Sequence, residues 1–155
     1  MRNPARLKKF CGTVSFSHPH VRRKLVTEGS FLAGTKFSST QEFPKKTVPG
    51  AFDSLLGAIA TSGYQIVSSN KDSGLISANQ TVNYGKGKTF PLNVFVKKLN
   101  TPGIRVEIVA QLSGGLSASP EAAQKEFCKL MASVEQSSNA PEAQTPTSPA
   151  PANTA

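Results

Sequence analysis

The sequence contains no tryptophan, and only two tyrosines, two histidines and two cysteines. Each shortage removes a class of chemistry. His18 and His20 flank Pro19 near the N-terminus, and residues 37–136 hold no histidine. A Ser/His/Asp or Cys/His nucleophile would find no imidazole base inside that region. Cys11 and Cys128 lie far apart, and neither has a second cysteine or histidine at metal-ligand spacing. Two distant cysteines imply no disulfide framework, so cysteine usage leaves the compartment open. Cys128 reads as a small buried hydrophobe. No run is apolar enough over sufficient length to span a bilayer. Nor does an uninterrupted apolar segment follow the first basic cluster, as a secretory signal requires. The acids Glu42, Asp53, Asp72, Glu107, Glu121, Glu126 and Glu135 form no carboxylate pair by spacing. These absences together argue for a protein that is not an enzyme and that carries neither cofactor nor metal.

What is present is unevenly charged. The formal net charge is +9. Residues 1–36 carry Arg2, Arg6, Lys8, Lys9, Arg22, Arg23, Lys24 and Lys36 against the single acid Glu28, which accounts for most of that excess. This stretch reads as a basic arm suited to nucleic acid or anionic lipid. Arg22, Arg23 and Lys24 are its candidate contacts with an anion or a partner. Residues 137–155, "SSNAPEAQTPTSPAPANTA", contain no aromatic or large aliphatic side chain. They cannot bury enough apolar surface to offset the entropy of ordering, and read as a disordered tail. A single domain is expected between them, over residues 37–136.

Periodicity supplies its elements. Phe37, Ser39, Gln41 and Phe43 share one face of a short strand. Val48, Phe52, Leu55, Leu56 and Ile59 then recur at helical spacing, with Thr47 as cap, Pro49 in the first turn and Gly63 as terminator. Four strands are expected next, at residues 64–69, 75–82, 89–98 and 104–112. Gly74 and the pair Pro102-Gly103 mark turns between them. The last strand alternates most cleanly: Ile104, Val106, Ile108, Ala110 and Leu112 face one way, Arg105, Glu107, Val109 and Gln111 the other. One buried face and one wet face identify an antiparallel sheet covered on one side. Ser119 caps a second helix, whose stripe is Ala123, Phe127, Leu130 and Val134, widened by Cys128 and Met131. The expected fold is α+β: a two-layer domain in the order strand, helix, four-stranded antiparallel meander, helix.

One segment imitates a nucleotide site. Gly87-Lys88-Thr89 matches the end of a phosphate-binding loop, G-x-x-x-x-G-K-[ST]. Val82 stands where the first glycine belongs, and Pro91 with the alternating run after it predicts a strand where the motif needs a helix N-terminus. Tyr84, Gly85, Lys86, Gly87 and Lys88 therefore read as a hairpin loop. Lys86 and Lys88 are retained as candidate contacts with an anion or a partner.

Residues 43–78, "FPKKTVPGAFDSLLGAIATSGYQIVSSNKDSGLISA", resemble the small α+β domains of bacterial envelope lipoproteins. The C component of the outer-membrane β-barrel assembly machine holds domains of this kind. The resemblance rests on element order and covers roughly residues 37–136. Upstream, Leu32-Ala33-Gly34 resembles the run that precedes the lipid-bearing cysteine of such proteins, with Thr35 in the cysteine's place. The resemblance implies a non-catalytic, protein-binding module of the cell envelope. Read from Met1 as written, the chain would stay in the cytoplasm, where the basic arm makes a nucleic-acid-associated protein the alternative, although no known reader motif is present. A small-ligand carrier would need a space between the last helix and the sheet, near Val106, Phe127 and Leu130.

Overall fold

The computed structural model of the protein describes residues 25–81 and 89–137. They form a six-stranded antiparallel sheet and two helices in the order β1 (Val26–Ser30), β2 (Gly34–Phe43), α1 (Val48–Thr61), β3 (Gln65–Asn70), β4 (Leu75–Thr81), β5 (Thr89–Lys98), β6 (Ile104–Leu112) and α2 (Pro120–Gln136). This is the expected α+β architecture, with one strand more than the periodicity predicts. Strand β1 and the first residues of β2 fall inside the stretch read as a basic arm. The folded unit therefore begins before residue 37, and Leu32-Ala33-Gly34 makes the turn between β1 and β2 and the first residue of β2. At the other end Ser137 is buried, its Oγ donates to the Val134 carbonyl at 2.7 Å, and its own carbonyl accepts from Lys46 Nζ at 2.6 Å. The ordered unit thus includes Ser137, one residue past the expected boundary.

Local chemistry places each helix. Thr47 has extended backbone, and its hydroxyl accepts from the Gly50 amide at 3.4 Å, which satisfies one orphan donor of α1. Gly63 follows the C-terminal residue Ser62 with φ +86, the left-handed turn that a glycine adopts without a Cβ penalty. Ser119 caps α2 in the same way, accepting from Ala122 N at 3.1 Å, with Pro120 and Glu121 in the first turn.

The strand order is β1-β2-β6-β5-β4-β3. Helix α1 leaves β2 near one edge and delivers the chain to β3 at the opposite edge. The meander β3 to β6 then returns until β6 pairs with β2, with Phe37 opposite Ala110 and Gln41 opposite Val106. Inward residues of β2, β4, β5 and β6 join Leu55 and Ile59 of α1 and Phe127, Leu130 and Val134 of α2 in one buried core. Val106, Phe127 and Leu130 are all buried in that core, filling the position at which a carrier cavity was considered. The outer face is polar: Glu42 of β2 meets Arg105 of β6 there, with Nη2 to Oε1 at 2.6 Å. An exposed pair of this kind contributes at most about 1 kcal/mol.

Candidate functional site

The five basic side chains singled out from sequence, Arg22, Arg23, Lys24, Lys86 and Lys88, lie outside the described residues. The described residues themselves carry nearly balanced charge, nine basic against eight acidic side chains. An electrostatic attraction for anions is therefore not a property of the sheet and helices. The element after Lys88 is strand β5, starting at Thr89, so no helix N-terminus follows the Gly-Lys-Thr run.

Among the described residues no group of three or more His, Cys, Asp or Glu side chains is placed to hold a metal ion. Also among them, no helix is long and apolar enough to cross a membrane. Cys128 departs from its expected role: it is half-buried and disulfide-bonded, so it is not simply a hydrophobic filler of α2. The sequence has one other cysteine, Cys11, which lies outside the described residues.

One ionisable group is clearly perturbed. Tyr64 sits between α1 and β3, buried, its ring tilted at 44° to that of Phe90 with centroids 6.4 Å apart. Burial, with a smaller contribution from the charge of Glu126, pushes its phenol from 10.0 up to about 12. A group raised in this direction makes no base at neutral pH; it is a core phenol. The shift fixes a pH dependence. The neutral phenol is favoured by the fold, so its stabilisation is complete below about pH 10 and is lost as pH rises through about 12. In an absorbance titration at alkaline pH, one of the two phenols should ionise late, and that late phase should vanish in Tyr64→Phe. A titration in which Tyr64→Phe removes an ordinary phase near pH 10 would contradict the burial of this ring.

The feature that the fold leaves open is an edge of the sheet. Among the described residues β3 pairs with β4 on one side only, and all six of its residues, "QIVSSN", are exposed. Its unpaired side presents a row of N–H and C=O groups, the template that an added strand uses. Natural edges are commonly guarded by charge, proline or a bulge. β3 has no charged residue and no proline, and its one irregularity is a register shift between Ile66 and Ser68 that leaves Val67 unpaired. Two apolar side chains stand exposed there, Ile66 at 36% and Val67 at 62%. The opposite edge differs. β1 has five residues, carries Glu28 in an ion pair with Lys36 at 3.3 Å, and contains Gly29 at φ +96. A charge and a glycine at positive φ oppose strand addition at β1; at β3 the bulge at Val67 is the only such guard.

Sequence reasoning found β3 as a strand and missed it as an edge. The available signal was its lack of alternation: after Tyr64 no inward position is filled by a large buried side chain. No protein-family model matches the chain, and no curated protein is significantly similar to it.

Proposed function

We propose that the protein is a non-enzymatic interaction module of the bacterial cell envelope that binds an extended segment of a partner protein along the open edge of β3. The observation that carries this reading is the uncharged, unpaired β3 edge with Ile66 and Val67 exposed beside it. An added strand draws affinity from main-chain hydrogen bonds, which any sequence can make, and selectivity from alternate side chains. Ile66 and Val67 favour an apolar residue in the added segment. The envelope assignment is the one implied by the resemblance to envelope lipoprotein domains.

Photo-crosslinking in cells tests the reading. A crosslinking residue at Ser69 should capture a defined protein, and the same residue at Thr27 on the β1 edge should not. Adding Val67→Lys should lower capture from position 69 by about tenfold or more, since a cation now guards the edge. That exposed substitution should shift stability by no more than about 0.5 kcal/mol. Equal capture from both edges, or capture indifferent to Val67→Lys, would refute the proposal.

A further inference from the structure

Two copies of one strand can join edge to edge only if the strand complements itself. In an isologous contact each residue near the two-fold axis meets its own copy or a close neighbour of it. A charge in the middle of such a strand would face its equivalent, which is destabilising. β1 has that defect: Glu28 is the third of its five residues, so a two-fold pairing would set Glu28 against Glu28. β3 does not. Its six residues carry no charge, and the apolar pair Ile66 and Val67 stands beside its middle. An antiparallel copy would bring those two residues alongside their own equivalents. Gln65, Ser68, Ser69 and Asn70 each carry a side chain that both donates and accepts, so they too can pair with copies of themselves.

The ends of the strand agree with this. The charges that follow β3 are Lys71 and Asp72, in the turn after Asn70, and Lys71 is already paired with Asp53 at 3.1 Å. An antiparallel arrangement carries these charges to opposite ends of the joint. There they lie level with Gly63 and Tyr64 of the other copy, which are uncharged. The joint also closes. It leaves both β1 strands at the outer edges of a continuous sheet made of two six-stranded halves. Each outer edge then carries Glu28 and Gly29, which oppose further addition, so assembly stops at two. The turn after β1 exposes Phe31 at 56% and Leu32 at 87%, but it lies beyond the strand and offers no ladder.

We propose that, when no partner segment is bound, β3 pairs antiparallel with β3 of a second copy across a two-fold axis. The pairing rests on the reading of β3 as an edge open to strand addition, and it regulates that edge. A second copy and a partner segment compete for the same backbone groups, so self-pairing shields the edge until a partner displaces it. Six residues a side make a short joint against a standard interface, and the bulge at Val67 bends the strand. The dimer is therefore weak and readily displaced.

Sedimentation equilibrium of the purified full-length chain tests this. The average mass should rise from one chain toward two between about 10 μM and 1 mM, and no higher. Val67→Lys should weaken the dimer by about tenfold or more, because it brings two cations together at the joint. Thr27→Lys, on the β1 edge, should leave it unchanged. Added salt should leave the dimer intact, since no ion pair holds it. A photo-crosslinking residue at Ser69 should give an adduct of two chains in the purified protein, and the same residue at Thr27 should not. A chain that stays monomeric throughout that range, a dimer indifferent to Val67→Lys, or one that salt dissolves would overturn the proposal. A monomeric purified chain whose position 69 still captures another protein in cells would overturn self-pairing alone and leave the strand-addition reading standing. No adduct of either kind would sink both.

Discussion

Replacing Ile108 by alanine is expected to destabilise the protein by about 2–5 kcal/mol. Ile108 is fully buried on β6 and faces the helices. β6 is an interior strand, with Ile108 opposite Ser39 of β2 and Val94 of β5. Removing its outer carbons forfeits their transfer free energy and leaves a void. The walls of that void are strands hydrogen-bonded on both sides, so they have little freedom to collapse into it. Ile108→Val should cost less, about 0.5–1.5 kcal/mol, because most of the volume remains. Val109 gives the control. It lies next in sequence on the outer face and is half-buried, opposite Ser38 and Asn93. Its replacement by alanine should cost under about 1 kcal/mol. Urea unfolding of the three variants decides the matter. Equal costs at positions 108 and 109 would mean that the sheet buries neither face preferentially.

The second large effect is expected at Gly74. This residue closes the turn between β3 and β4 with φ +67. Its carbonyl accepts from the Val96 amide at 2.8 Å, and a Cβ at this position would run into the Val96 carbonyl. Gly74→Ala therefore combines left-handed strain with displacement of β5 backbone, and should cost on the order of 3 kcal/mol. Gly57→Ala is the same chemical change with the opposite expected sign. Gly57 lies in the exposed middle of α1, and a Cβ there meets nothing within 4 Å. Alanine should stabilise it by about 0.5–1 kcal/mol through lower unfolded-chain entropy and better helix propensity. Thermal unfolding of the two variants should move in opposite directions. A neutral Gly74→Ala would show that the turn can be rebuilt without the positive φ.

The inward and outward positions of β5 and β6 were legible in the sequence because alternation is a local property. Each side chain of a strand points opposite to its neighbour whatever the strand pairs with. The same holds for the caps Thr47 and Ser119 and for the positive φ of Gly63 and Gly74, although the approach of Val96 to Gly74 is not local. β2 was legible in part. Phe37, Ser39, Gln41 and Phe43 do share a face, and it is the buried one, although two of them are polar. Gln41 donates there from Nε2 to Glu135 Oε1 of α2 at 3.4 Å, while its own Oε1 is buried with no partner among the described residues. No local pattern specifies a partner 94 residues away.

The candidate site was less legible than the fold. Charge drew attention to Arg22, Arg23, Lys24, Lys86 and Lys88, because runs of like charge are conspicuous in any sequence. The exposed apolar residues were inconspicuous. Phe31 and Leu32 look like part of a leader, and Ile66 and Val67 look like ordinary strand interior. Whether such side chains are covered depends on which elements lie beside them.

The amino-acid sequence by itself determined the type and order of every element but β1, together with most faces and turns. These follow from backbone dihedral preference, side-chain period and capping, all of which act over a few residues. Tertiary structure alone decided that β2 pairs with β6, that β1 belongs to the sheet, and that β3 lies at an edge. A strand offers the same N–H and C=O groups on both sides wherever it sits. Which of them find partners is set when α1 carries the chain across the sheet and the meander returns to meet β2. That closure joins segments distant in sequence, so the open edge and the exposed hairpin tip exist only once the whole domain has folded.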